Sequence, residues 1–306
     1  MKITIIALFT FISFNYSFSQ SVTLSGHIID KETNKALPFA TIEIFSLKFG
    51  TVADQNGDFK LTVIPINENL DTLVFSYLGY KNTKISIGDF LKLDKKTISI
   101  KADPITLNEV VIIPKKYKTV KLGITNKKPQ SYQITSVYYN KIGNIIENKK
   151  SLPGWVKSIS FYIAEEGYPE TPFRVRIYDI DKKRNCPGND ILNKNVIVSA
   201  NKPGWFTVDL TSYNIPFPKD GIFVMMEWIN GGEKYYYDKE MPTKNANGEI
   251  INETRKFYGQ TIGSLLHQSK IVTWGITVGN DWTPWIFNHK GYINAMINAE
   301  IAYPID

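Results

Sequence analysis

The stretch Ser21-Val22-Thr23-Leu24-Ser25-Gly26-His27-Ile28-Ile29-Asp30 sets Val22, Leu24 and Ile28 against Thr23, Ser25 and His27. An alternation of period two places one set of side chains on each face of an extended strand, so this segment reads as a strand with one buried face. The pattern returns downstream. Ala40, Ile42 and Ile44 oppose Thr41 and Glu43; Phe59, Leu61 and Val63 oppose Lys60 and Thr62; Leu73, Phe75 and Tyr77 follow, then Ile98 and Ile100. Asn56-Gly57 and Leu78-Gly79-Tyr80 supply turn chemistry, with glycine providing the positive φ that a tight hairpin requires. About seven short strands with no long helical period imply a small β-sandwich.

Five blocks carry a resemblance as well as a pattern: Ser25-Gly26-His27-Ile28-Ile29-Asp30, Asn34-Lys35-Ala36-Leu37-Pro38-Phe39-Ala40-Thr41-Ile42, Gly50-Thr51-Val52-Ala53-Asp54-Gln55-Asn56-Gly57-Asp58-Phe59, Asp71-Thr72-Leu73-Val74-Phe75-Ser76-Tyr77-Leu78-Gly79-Tyr80 and Leu107-Asn108-Glu109-Val110-Val111-Ile112. In this order over residues 21–113 they resemble the carboxypeptidase-regulatory-like domain. The resemblance implies a seven-stranded, transthyretin-like sandwich. Such domains stand beside metallocarboxypeptidase catalytic domains and, in Gram-negative bacteria, at the periplasmic front of TonB-dependent outer-membrane receptors, which implies an envelope location. The remaining chain is expected to be too short for a receptor's plug and barrel.

Beyond Pro114-Lys115-Lys116 the chain is basic, and residues 114–130 read as a linker. Alternation resumes from residue 131 to the end. Ile159, Phe161 and Ile163, then Phe173, Val175 and Ile177 form inward rows, the latter against outward Arg174 and Arg176. Phe206, Val208 and Leu210, then Ile222, Val224, Met226 and Trp228, then Ile293, Ala295, Ile297, Ala299 and Ile301 continue the pattern. Turns fall at Pro187-Gly188-Asn189-Asp190, Pro203-Gly204, Pro218-Lys219-Asp220-Gly221 and Asn247-Gly248. The expected fold class is therefore all-β, with a second antiparallel β-sandwich or jelly roll after the first. The blocks at 173–178 and 204–210 resemble jelly-roll modules of secreted bacterial proteins, including carbohydrate-binding ones.

The chain of 306 residues is 43% hydrophobic and 21% charged, a globular composition with length for two domains. Its formal charge of +7 is local. Residues 151–306 hold 16 Lys and Arg against 17 Asp and Glu, whereas residues 114–150 hold nine Lys against one acid, Glu147. This strip either solvates a linker or draws the protein to anionic polymers; an exported chain without a recognition module is not expected to bind nucleic acid. Export itself is read from residues 1–19, where Lys2 precedes an apolar stretch from Ile3 to Phe14 and the small residues Ser17 and Ser19. That stretch is shorter than the roughly 20 residues of a membrane span, and no transmembrane segment is expected elsewhere. The expected location is periplasm, outer-membrane-associated or cell surface. One thiol, Cys186, has no internal partner, and its turn-like run would expose it.

Catalytic patterns are missing from this sequence. A metallocarboxypeptidase needs His-x-x-Glu and a further His, but His27, His267 and His289 are not followed at +3 by Glu. No Gly-x-Ser-x-Gly elbow occurs, and Glu165, Glu166 and Glu233 cannot be paired across a cleft from sequence. Asp54, Asn56 and Asp58 read as a hairpin turn before a calcium loop; Asp179, Asp181 and Asp190 offer a second oxygen-rich loop. No cofactor and no metal site are expected. The aromatic distribution carries more. All six Trp lie in the second half, and Asn280-Asp281-Trp282-Thr283-Pro284-Trp285 reads as a loop whose indoles, flanked by hydrogen-bonding Asn280 and Asp281, would stack on sugar faces. Tyr235 and Tyr237 form a second candidate cluster, with Tyr236 facing away. The competing expectation is that these rings plug the open end of a sandwich. The reading is a non-catalytic, exported binding or scaffolding protein whose partner is a glycan or an envelope protein. The alternative is a hydrolase acting on envelope or extracellular glycan or peptide.

Overall fold

The computed structural model describes residues 21–63, 71–103, 116–192, 194–276, 281–285 and 291–305. The export segment 1–19, the block Leu107–Ile112, Asn280 and His289 lie outside the described residues.

The first part holds β1 (Val22–Asp30), β2 (Thr41–Ile44), β3 (Phe49–Val52), β4 (Asp58–Val63), β5 (Thr72–Ser76), β6 (Thr83–Ser86), the short helix α1 (Ile87–Lys92) and β7 (Thr97–Ile100). Three strands order as β4-β1-β7 and four as β3-β2-β5-β6, a seven-stranded sandwich. β4 shows the driving pattern plainly: Phe59, Leu61 and Val63 are buried while Asp58, Lys60 and Thr62 are exposed. With Leu24, Ile28, Ile42 and Phe75 they form one apolar core, in which Phe59 and Phe75 meet edge to face at 5.6 Å. Each such side chain removed from water contributes about 1.5–3 kcal/mol before conformational entropy is charged against it. The Asn56-Gly57 turn is closed by Asp54, whose Oδ1 accepts from the Asn56 and Asp58 amides at 2.8 and 3.0 Å. Those bonds are the turn chemistry expected of an Asp at this position.

The second part comprises β8 (Tyr117–Gly123), β9 (Ser131–Thr135), β10 (Lys141–Glu147), β11 (Gly154–Gly167), β12 (Phe173–Asp181), β13 (Cys186–Asp190), β14 (Val196–Val198), β15 (Gly204–Asp209) and β16 (Pro216–Phe217). It continues with β17 (Gly221–Trp228), β18 (Tyr236–Lys244), β19 (Ile250–Gln268), β20 (Thr273–Ile276), β21 (Thr283–Pro284), β22 (Tyr292–Ala295) and β23 (Ile297–Pro304). One sheet runs β13-β12-β17-β10-β20-β21, with β14 beside β12; the other runs β18-β19-β11-β23-β8, with β9, β15, β16 and β22 attached. The inward rows foreseen from alternation, among them Phe161, Val175, Val224, Met226, Ile297 and Ala299, fill the space between them. A polar bridge crosses this core: Asn144 donates to the Ala295 carbonyl at 2.7 Å and accepts from Thr273, whose hydroxyl in turn accepts from the Ala295 amide. Pairing these groups with one another removes the cost of burying them. Among the described residues, no helix is long and apolar enough to cross a membrane.

The structure departs from the linker reading of residues 114–130. Tyr117–Gly123 is an edge strand, β8, paired antiparallel with β23 from Tyr117 against Pro304 to Gly123 against Asn298. Val120 and Leu122 pack on the core while Lys118 and Lys121 stay exposed. Lysines on an edge strand keep it soluble and deter pairing with another chain, so a lysine-rich composition disguised a strand as a tether. Cys186 also differs from expectation, since the β12-β13 hairpin buries it.

Candidate functional site

Trp285 follows β21 and is half-buried on the inner face of its sheet. Its amide donates to the Thr273 carbonyl at 2.9 Å, and its indole Nε1 donates to Gln133 Oε1 of the opposite sheet at 2.8 Å. Gly275 makes the room, because a Cβ there would stand 2.6 Å from the indole ring. Around this ring Gln133, Thr135, Asn140, Lys141 and Trp228 line a pocket of about 70 Å³. Trp228 is fixed by an indole bond to the Gln260 carbonyl at 3.0 Å. Asn140 donates to the Thr135 hydroxyl at 2.8 Å, while its own buried Oδ1 has no partner among the described residues. The pocket therefore combines aromatic walls with polar side chains, one of which holds a buried acceptor without a partner among the described residues. Its volume admits a pendant group a few heavy atoms long.

Trp282 does not join this site. Its ring meets Tyr178 at 5.4 Å and 71°, on the outer face of the same sheet. Residues three apart in an extended segment point to opposite faces, so the paired platform expected at 282 and 285 is divided by the backbone itself. Asp281 is exposed beside Trp282. Tyr235 and Tyr237, two apart, flank Tyr168 at 6.1 and 6.0 Å. Tyr236 turns to the other side against Tyr258 at 4.8 Å. Burial pushes the Tyr237 phenol well above its ordinary range, and its hydroxyl has no partner among the described residues. Among the described residues no ring contact links this cluster to either indole.

A second constellation, which the sequence reading missed, lies on the outer face of the β12-β17-β10 sheet. Glu227 is 0% exposed. It accepts from Arg176 Nε at 2.9 Å and from Arg174 Nη1 at 3.3 Å, with Lys141 Nζ at 3.9 Å. Burial alone would raise its carboxyl, but the charges of Arg174, Lys141 and Arg176 outweigh burial and hold it far below the usual range. Asp190 moves the other way: burial raises it despite its 2.9 Å bond to Arg176. Arg174 also donates to the carbonyl of Phe39 in the first sandwich. The signal was present as a lone carboxylate in the apolar row of β17 opposite two arginines of β12.

The remaining candidates are spread out. His27 Nδ1 lies 2.8 Å from Asp58 Oδ1 in the first sandwich. Glu166 pairs with Lys239, while Glu165 and Glu233 are exposed. Asp179 accepts from Asn189 and Asp181 from Arg184, so these carboxylates are occupied by protein donors. Among the described residues no three His, Cys, Asp or Glu gather in a metal-ligating group.

Comparison with known proteins adds to this geometry. TonB-dependent receptor P3 of Formosa agariphila is 26% identical over 164 residues, which is 53% of this chain and 15% of the receptor. The chain thus spans a small part of that relative's length. Among solved structures, the cysteine protease and lectin-like domains of Cwp84, a surface-layer-associated protein of Clostridium difficile, align over 93% of this chain and 59% of theirs at 11% identity and a TM-score of 0.38. Cwp84 after propeptide cleavage aligns over 87% and 65% at 10% identity and a TM-score of 0.37. The family model of the CarboxypepD_reg-like domain matches residues 24–112, the span of the seven-stranded sandwich, and the chain therefore carries a CarboxypepD_reg-like domain there.

Proposed function

We propose that the protein is an exported, non-catalytic binding protein of the cell envelope, in which the CarboxypepD_reg-like sandwich supports a second sandwich that engages a glycan. The match of residues 24–112 supports a binding rather than a catalytic module, and the likeness to a TonB-dependent receptor supports the envelope location. The ligand reading rests on one observation, the anchored indole of Trp285 beside the unpartnered Asn140 Oδ1. Aromatic faces pack on the C–H faces of sugars, and an acceptor without a protein partner takes a hydroxyl or amide donor. The small pocket selects a pendant group, such as an acetamido or hydroxymethyl arm, of a glycan whose rings remain outside.

The test is a glycan array followed by calorimetry on residues 20–306. Trp285→Ala and Asn140→Ala should each weaken binding of the selected glycan by about tenfold, the loss of one such contact. Trp282→Ala should leave affinity unchanged, because that ring sits on the other face. Equal affinity in Trp285→Ala rejects the pocket. Turnover of a glycan or peptide, abolished by one carboxylate or His substitution, would replace this reading with a hydrolase.

A further inference from the structure

We propose that the second sandwich carries a separate site for an anionic polysaccharide, a chain of uronic acids or sulfated sugars, in two adjoining grooves that meet at Lys149. One groove, of about 410 Å³, opens between the edge strand β8 and β10, with Lys121, Lys149 and Lys270 along it. The other, of about 460 Å³, crosses the end of the β10 sheet, with Lys149, Lys182 and Lys219 along it. Ile145, Glu147 and Lys149 line both, so the hollows are continuous along the surface. Each is several times larger than the Trp285 pocket.

The charge balance singles out this place. Residues 116–305 hold 24 Lys and Arg against 17 Asp and Glu, and five of those lysines converge here with two carboxylates. Each carboxylate is already paired: Glu147 with Lys270, and Asp220 with Lys182 at 2.7 Å. Lys121, Lys149 and Lys219 are exposed, and no carboxylate among the described residues pairs with them. Three uncompensated ammonium groups along a continuous concavity are complementary to a ligand whose negative charges repeat along a chain. One exposed charge pair is worth at most about 1 kcal/mol in water, so a single small anion would be held weakly and a polyanion by the sum.

Three further facts favour a polysaccharide. The grooves are concave, which a flat bilayer cannot fill. Their walls hold no aromatic ring for nucleobases to stack on, the main attraction in single-strand binding. Ser151 and Asn185, both exposed on the second groove, offer hydroxyl and amide groups to sugar hydroxyls.

The experiment is calorimetry on residues 20–306 with polygalacturonate oligomers and heparin oligosaccharides as acidic probes. Dextran of matched length, anionic phosphatidylglycerol vesicles and a single-stranded oligonucleotide serve as comparators. An acidic oligosaccharide should bind best, and raising NaCl from 50 to 300 mM should weaken it about tenfold or more through screening. Lys121→Glu/Lys149→Glu/Lys219→Glu should abolish binding, whereas Lys31→Glu/Lys60→Glu/Lys84→Glu, an equal charge change on the first sandwich, should retain it. Lys149→Ala alone should lower affinity severalfold, which protects the test against misfolding of the triple variant. Trp285→Ala should bind the acidic probe normally, separating this site from the glycan pocket. Equal losses in the two triple variants would reduce the effect to net charge and overturn the proposal. Tighter binding of vesicles or oligonucleotide, or no binding of either acidic probe, would also overturn it.

Discussion

Asp30 shows how much one side chain organises at the end of β1. Its Oδ1 accepts from the Glu32 and Thr33 amides at 2.8 and 2.7 Å, and its Oδ2 accepts from the Tyr80 hydroxyl at 2.6 Å. The Tyr80 hydroxyl first, then the Thr33 amide, hold the carboxyl down at about 2, while burial and Asp30 push Tyr80 up to about 12. A depressed carboxylate stabilises the fold fully above its ordinary pKa near 4 and loses that contribution as pH falls toward 2. The raised phenol works in the opposite direction, stabilising below about 10 and failing as pH climbs through 12. Asp30→Asn should therefore unfold at lower urea than the native protein at pH 7, with the gap closing between pH 4 and pH 2. A gap unchanged across that window would mean that the charge of Asp30 does not stabilise the fold. Glu227 offers the buried counterpart. Glu227→Gln leaves Lys141, Arg174 and Arg176 facing only Asp190, and breaking such a buried network costs about 3–5 kcal/mol. Urea titration should register this as a lower midpoint at unchanged slope. At this scale the sequence identified the face but not the environment. Arg174 and Arg176 do point away from the inner core, as alternation requires, yet both are buried. A charge in an alternating strand marks which face it occupies, and what covers that face is decided by distant chain.

At the scale of elements, strands built from uninterrupted apolar alternation were legible, and those whose composition imitates a tether were not. β4 and β23 follow directly from period two; β8 was hidden because its inward residues are only Val120 and Leu122 between lysines. Gly123 gives a direct check on β8. It adopts φ of +100°, and a Cβ there would lie 2.7 Å from the Ile297 carbonyl oxygen. Gly123→Ala should cost about 1–3 kcal/mol from the backbone conformation alone, with the clash added; a linker position would tolerate it silently. The β18-β19 ribbon has the opposite character. Residues 249–256 are exposed, including Ile250 at 73%, and beyond Tyr258 toward the tip β19 pairs only with β18. Two-stranded ribbons are marginal in water. Hydrogen exchange should therefore run fastest at the amides of 239–244 and 250–255 and slowest in β11 and β23; uniform protection would show that something else supports the ribbon. The indoles illustrate a signal that was available but unused. The odd spacing of 282 and 285 already separates two side chains in an extended segment, although no local pattern said that Trp285 would turn inward to Gln133.

Across the whole molecule the two sandwiches meet in a mixed apolar and polar contact. Val52 of β3 is buried against Tyr139, with Phe39, Val137 and Tyr138 around them. Polar ties border this patch: Arg174 reaches the Phe39 carbonyl, and Asn195 Nδ2 donates to the Tyr77 hydroxyl at 3.0 Å. Phe39 and Tyr77 both fall within blocks that carry the family resemblance, so side chains and carbonyls of the first domain complete the outer face of the second. Nothing in the periodicity of either half foretold the contact, because Val52 and Tyr139 satisfy their own local patterns equally well with or without a neighbour. Val52→Asp would insert a carboxylate into this dry patch without touching either core. Burying an unpaired charge costs several kcal/mol, and the protein can avoid that cost only by parting the sandwiches. The expected result is that calorimetry resolves two unfolding transitions where the native chain gives coupled ones, with the radius of gyration from small-angle scattering increased while far-ultraviolet circular dichroism is unchanged. An unaltered scattering curve together with an unaltered thermogram would show that the sandwiches fold and move independently of this contact, and that Arg174 is held by Glu227 alone.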